Sequence, residues 1–146
     1  METVLNALHV LSAVFLVGPM AILPMTALRL LRAGEQAQVG TLAKSTAVFS
    51  WASLAAVVFG FGVMGMADPK YDLSITTPWI LISLLVYLAA LGLNLGMVVP
   101  AMKASARDSG RSEHGGRPGG YSQLAALSGS VSLLLVVVVI LMVWKP

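Results

Sequence analysis

The sequence contains no cysteine and few charged residues, and both scarcities limit what the chain can be. Only 10% of its 146 residues are charged, whereas roughly 25% is typical of soluble domains. Without cysteine the chain can form no disulfide and no thiolate metal site. Hydrophobic residues make up 58% of the chain, and its mean hydropathy is +0.88. This composition excludes an ordinary soluble domain and indicates an integral membrane protein.

Four apolar segments account for most of the chain. They cover residues 4–28, 44–66, 78–100 and 121–144. Each exceeds the ~20 residues that a helix needs to cross a ~30 Å hydrocarbon core. Because a backbone in lipid must satisfy its own hydrogen bonds, each segment is expected to be a helix. The sequence therefore predicts an all-α membrane protein, with residues 1–146 forming a single bundle of four transmembrane helices.

The basic residues predict the orientation of this bundle. Seven of the nine Lys and Arg lie on or beside the first and third loops: Arg29, Arg32, Lys44, Lys103, Arg107, Arg111 and Arg117. Since basic loops are retained in the cytoplasm, both loops are predicted to be cytoplasmic and both termini external, in the cell membrane. Residues 103–120, rich in glycine, are predicted to be a flexible linker. These charges are also expected to attract anionic lipid headgroups weakly, and nucleic-acid binding is not expected.

Small and polar residues at helical spacing predict where the helices pack. Transmembrane helices approach closely where their side chains are small. Candidate packing or interface residues occur on three helices: Ala52, Ala56 and Gly60; Gly92, Asn94 and Gly96; Ser128, Gly129 and Ser132. Packing within one chain is the preferred interpretation of these residues, ahead of dimerisation. Residues 133–143 are apolar all round, so part of that segment, including Leu135, is expected to face lipid or another protein.

Ionisable residues inside a membrane are default candidates for function, and His9 is the one that lies well within a span. Three methionines, Met64, Met66 and Met142, are predicted to lie near the same level. Imidazole and thioether groups can bind Cu(I), and imidazole can ligate haem iron. The favoured interpretation is a hydrogen bond from His9 to a neighbouring helix, with a metal site as the alternative. No catalytic residue and no cofactor are predicted.

The first helix resembles a known family. Its residues Leu8-His9-Val10-Leu11-Ser12-Ala13-Val14-Phe15-Leu16-Val17-Gly18, followed by proline and a basic stretch, are similar to the opening of the DUF2269 predicted integral membrane proteins. More distantly, they resemble the histidine-bearing first helix of CopD-type copper-resistance proteins. The DUF2269 resemblance implies four helices and brings no assigned reaction with it.

Three classes of function remain open. The first is a non-catalytic accessory subunit of a larger bacterial membrane complex, such as a respiratory or transport assembly, bound to other integral membrane subunits. The second is a small haem- or copper-handling membrane protein that uses His9. The third is an oligomeric small-solute transporter or channel, which normally needs polar residues along a path through the membrane. The accessory subunit is preferred, and the chain is not expected to be an enzyme.

Overall fold

The computed structural model describes residues 1–67, 69–72, 74–107 and 120–144. Four long helices dominate it: α1 (Thr3–Arg32), α2 (Gln36–Met66), α3 (Pro78–Arg107) and α4 (Tyr121–Trp144). Each is long and apolar enough to cross a membrane, and the described residues contain no strand. The prediction of an all-α protein with four potential membrane spans is therefore confirmed.

Three of the helices extend beyond the predicted apolar spans. At 1.5 Å per residue, the 31 residues of α2 measure about 46 Å, well beyond a hydrocarbon core. The prediction that residues 103–107 belong to a flexible linker is wrong, because α3 continues through Arg107. Met102 and Ser105 are buried in this extension, which packs against the beginning of α2. Residues 108–119 of the predicted linker lie outside the described part of the chain.

A tight turn joins α1 to α2. The N–H of Gly34 donates to the carbonyl of Leu31, and the N–H of Glu35 donates to the carbonyl of Leu30. Gly34 has a φ of 79°, the left-handed conformation that glycine adopts at low cost. This pair of bonds is a Schellman motif, which ends α1, and α2 packs back against it.

The helices pack differently at the two ends of the bundle. The basic end is the one where α1 and α3 finish and α2 and α4 begin. Here α1 contacts α2 and α4, and α3 packs against α2. At the opposite end, α1 packs with α2 and α3 with α4, but the described residues of these two hairpins make no extended contact with each other. The bundle is therefore closed at the basic end and divided at the other.

Three helices are interrupted along their length. A π-turn at Ala13–Val17 precedes Gly18-Pro19 in α1, and a second at Asn94–Val98 precedes Val99-Pro100 in α3. Proline has no N–H to donate, and the residue before each proline bonds five residues back instead of four. In α2, a turn at Ser53 separates the segments Gln36–Ala52 and Leu54–Met66.

The core lies mainly in the closed half of the bundle. Its fully buried side chains come from all four helices and include Met20, Val39, Val98, Met102, Leu124 and Val131. Large apolar residues cover the outer surface of the helices, which suits a lipid environment.

Candidate functional site

A hydroxyl pair near the middle of the bundle joins α2 to α3. The Tyr87 hydroxyl and Ser53 Oγ are 2.5 Å apart, and Ser53 Oγ lies 2.6 Å from the Ser50 carbonyl. Met20 of α1 brings its sulfur to 3.9 Å from the same oxygen. All three side chains are buried. Ser53 thus gathers contacts from α1 and α3 at the point where α2 is interrupted.

A second buried contact lies next to the first. Asn94 Nδ2 donates to Ser50 Oγ at 2.8 Å, and Ser50 Oγ donates to the Thr46 carbonyl at 2.7 Å. Asn94 begins the π-turn of α3 and is completely buried. Its Oδ1 and the Ser132 Oγ of α4 are buried without a hydrogen-bond partner in the described residues. The hydrogen bond between Asn94 and Ser50 therefore links α3 to α2 inside the bundle, and polar contacts of this kind stabilise helix association in membranes.

His9 forms the contact with a neighbouring helix that its sequence position suggests. Its Nδ1 lies 2.7 Å from the carbonyl oxygen of Ala56 in α2. Because a carbonyl can only accept, the proton of this hydrogen bond is on Nδ1, and Nε2 is the ring nitrogen that faces away from the contact. The ring lies against Gly60, where an added Cβ would be 3.0 Å from its Cε1 atom. A side chain at position 60 would therefore force the His9 ring to shift or α1 and α2 to move apart.

The three methionines considered with His9 are divided between two helices. Met64 and Met66 follow Gly60 on α2, the helix that His9 contacts, and Met66 is exposed. Met142 lies near the end of α4, and among the described residues α4 makes no extended contact with the first segment of α1. The described part of the chain also contains no group of three His, Asp or Glu that could hold a metal ion.

The small residues of α2 occupy the interior positions that their spacing suggests. Ala56 is buried and Ala52 is half-buried. Gly60 is half-buried beneath the imidazole ring of His9. This stripe therefore lies at a contact between helices of the same chain.

The two glycines of α3 do not lie at a contact between helices of the same chain. Gly92 and Gly96 are exposed, and a Cβ added at either would meet no atom within 4 Å. Packing within one chain, the interpretation preferred from the sequence, is therefore wrong for this pair. Residues two positions apart in a helix lie on nearly opposite sides of it. Because Asn94 is buried in the core, Gly92 and Gly96 on either side of it face outward.

Helix α4 shows a similar division. Ser128 is buried and donates to the Leu124 carbonyl at 2.7 Å. Gly129 has open space beside it, and Ser132 is half-buried. The expectation that Leu135 faces outward is wrong, because it is only 6% exposed and belongs to the core. The outward surface of this segment consists of neighbouring side chains: Leu133, Val136, Val137, Val139, Ile140 and Val143.

Five of the six described Lys and Arg residues lie at the basic end of the bundle, and the sixth, Lys70, lies in the connection between α2 and α3. Arg29, Lys103 and Arg107 are exposed. Arg32, also exposed, places its guanidinium carbon 5.0 Å from the centre of the Tyr121 ring, a cation–π contact that links the end of α1 to the start of α4. Arg111 and Arg117 lie outside the described residues.

Fold and composition together define a class, an integral membrane protein with four membrane-spanning helices. The chain belongs to the DUF2269 family, whose members are described as predicted integral membrane proteins and whose match covers residues 3–146. No curated protein and no solved structure matched the chain. The comparisons thus support the DUF2269 resemblance and give no support to the more distant CopD similarity.

Proposed function

We propose that this protein is a non-catalytic accessory subunit of a larger membrane complex, such as a respiratory or transport assembly. The observation that carries the proposal is the outward glycine face of α3, formed by Leu85, Leu88, Gly92 and Gly96. All four residues are exposed, at spacings of three or four. A glycine costs about 1 kcal/mol relative to alanine within a helix. Contact with lipid does not offset this cost for two glycines. A second helix offsets it, because its backbone can pack closely against a glycine surface.

The occupant of this face is a transmembrane helix of a different protein. Lys103 and Arg107 are exposed at the basic end of the same helix. In a symmetric dimer joined through α3 within one membrane, the basic ends of both copies would lie at the same level, and their like charges would repel each other. A different subunit can offer neutral or acidic side chains there. Helix α3 has 30 residues, long enough for an interface near the ~1,000 Å² of a stable complex.

The orientation and membrane are part of the same proposal. The basic end faces the cytoplasm and both termini lie outside the cell membrane, because the described basic residues concentrate at that end. With this orientation, the divided end of the bundle and its two hairpins face the exterior.

Photo-cross-linking in native membranes tests the subunit proposal. A photoreactive residue at Leu88 or Met97, which are 45% and 47% exposed, should give a discrete product with a different membrane protein. The same residue at Ile22, on the exposed surface of α1, serves as the control and should give lipid adducts. Replacing Gly92 and Gly96 with Ile should abolish the discrete product, whereas Ala7→Ile on exposed α1 should preserve it.

Two outcomes would contradict this proposal. If Leu88 and Met97 give only lipid adducts, the outward glycine face contacts lipid. If the product has twice the mass of the chain and contains no second protein, the face joins two copies.

A haem- or copper-handling protein remains the second candidate because of one observation. His9 donates from Nδ1 to a backbone carbonyl, the arrangement that commonly fixes a metal-binding histidine and leaves Nε2 available. We nevertheless expect the purified protein to show no Soret band and no stoichiometric copper. A haem spectrum or bound copper that disappears in His9→Ala would place this candidate above the accessory subunit.

A further inference from the structure

We propose that the basic end of the bundle contains a binding site for the phosphate of one anionic phospholipid. The site is a basic cleft between α2 and α3, formed by Lys44, Lys103, Arg107, Gln36, Thr41 and Gly40. Its volume is about 490 Å³, within the range of small-ligand sites. This inference does not depend on the accessory-subunit proposal.

The cleft brings three cations together from two helices. Lys44 lies four residues after Gly40 on α2, and Lys103 and Arg107 are four apart on α3, so each set shares a helix face. No Asp or Glu occurs among the described residues that line the cleft. Retention of basic loops in the cytoplasm explains why cations occur at this end. It does not explain why three of them converge, because like charges in proximity repel unless an anion lies between them.

The neutral lining suits a phosphate group. The Gln36 amide and the Thr41 hydroxyl add hydrogen-bond donors to the three cations. At Gly40, an added Cβ would lie 3.7 Å from the Ala106 Cβ of α3, so the two helices approach closely on the floor of the cleft. Guanidinium and ammonium groups form strong, charge-assisted hydrogen bonds with phosphate oxygens.

The position of the cleft favours a lipid phosphate over a free one. From Lys44 to the end of α2 at Met66, the helix rises about 33 Å at 1.5 Å per residue, close to the thickness of a hydrocarbon core. Lys44 therefore lies at the level of the headgroups. Val48 and Trp51, which are 65% and 64% exposed, follow at spacings of four and seven and continue its helix face towards the membrane centre. They provide an apolar surface for an acyl chain attached to the bound headgroup.

Quenching of Trp51 fluorescence by brominated lipids tests this proposal. The full chain, with Trp79→Phe and Trp144→Phe so that Trp51 is the sole tryptophan, is placed in phosphatidylcholine nanodiscs. Brominated phosphatidylglycerol should quench Trp51 at least fivefold more efficiently per mole than brominated phosphatidylcholine. Each variant removes a charge-assisted hydrogen bond to the bound phosphate, so Lys44→Gln and Lys103→Gln should each weaken this preference about fivefold.

Arg29→Gln is the matched control, because it removes one exposed charge from the same end without touching the cleft. It should change the lipid preference less than twofold. Equal losses in Arg29→Gln and Lys44→Gln would reveal diffuse attraction and overturn the proposal. Two further results would do the same: equal quenching by the two lipids, and displacement of brominated phosphatidylglycerol by millimolar inorganic phosphate, which would assign the cleft to a soluble anion. Monodisperse elution of each variant verifies folding, and Lys103→Gln provides the test if Lys44→Gln fails it.

Discussion

At the basic end of the bundle the four helices form one packed core, whereas at the opposite end they separate into two hairpins. The closed end contains most of the fully buried side chains, so its stability is spread over many apolar contacts. At the divided end, the first hairpin depends on a few specific contacts, including His9 with Ala56 and the close approach at Gly60. Substitutions of similar size should therefore have different consequences at the two ends.

The largest expected difference between the ends is their accessibility in intact cells. Because the chain has no cysteine, a thiol reagent can label only the single cysteine that is introduced. Ile75→Cys, on the exposed connection between α2 and α3, should react with a membrane-impermeant thiol reagent. Ala33→Cys, in the turn between α1 and α2, should react only after the membrane is permeabilised. The reversed pattern would overturn the proposed orientation.

Within the divided end, the largest effect on stability is expected at Gly60. In Gly60→Leu, the new Cβ would lie 3.0 Å from Cε1 and 3.2 Å from Nδ1 of His9, so the imidazole ring must shift or α1 and α2 must move apart. Overpacking of this kind typically costs about 1–3 kcal/mol, which should lower the melting temperature in detergent. Gly65→Leu is the matched control, because a Cβ there meets no atom within 4 Å.

A double variant identifies the cause of the Gly60 effect. If the His9 ring is the obstacle, His9→Ala should restore most of the stability lost in Gly60→Leu. Equal destabilisation by Gly60→Leu and Gly65→Leu would show instead that helix propensity or hydrophobic mismatch is responsible.

The hydroxyl pair between Tyr87 and Ser53 should have a moderate effect, because it lies where the divided end meets the closed end. Polar contacts between transmembrane helices average about 0.6 kcal/mol and reach about 1.7 kcal/mol. Tyr87→Phe and Ser53→Ala should each destabilise the protein within that range. Their double variant should cost less than the sum of the two, since both remove the same hydrogen bond. Additive losses would indicate that the two hydroxyls act independently.

The sequence predicts the four helices well because each apolar span is long and nearly free of charge. It places the helix ends less accurately, since α3 continues to Arg107 through residues that form helix readily outside the hydrocarbon core. The spacing of Thr46, Ser50 and Ser53 on α2 contains a signal for the buried polar contacts, because three polar residues share one face of an apolar helix. Their partners Tyr87 and Asn94 cannot be paired with them without the arrangement of helices in space.

Small-residue spacing has the same limitation. The sequence predicts that Gly60 and the Gly92–Gly96 pair allow close approach, and it cannot say which neighbour uses each surface. That choice depends on the rotation of each helix about its own axis. In α3 this rotation directs Asn94 into the core, where its buried amide donates to Ser50, and so turns the two glycines outward.

The smallest effect on the isolated chain is expected from Gly92→Ile combined with Gly96→Ile. Both sites have open space around an added Cβ, so no neighbouring helix must move. Glycine is a poorer helix former than isoleucine, so the melting temperature of the purified protein should stay unchanged or rise slightly. The same double variant should lose its partner in native membranes if the outward glycine face binds another subunit. A large drop in melting temperature would mean that α3 packs through these glycines within its own chain, contrary to the structure. Opposite outcomes for Gly60→Leu and for this double variant would establish that two stripes of similar composition serve different neighbours, one inside the chain and one outside it.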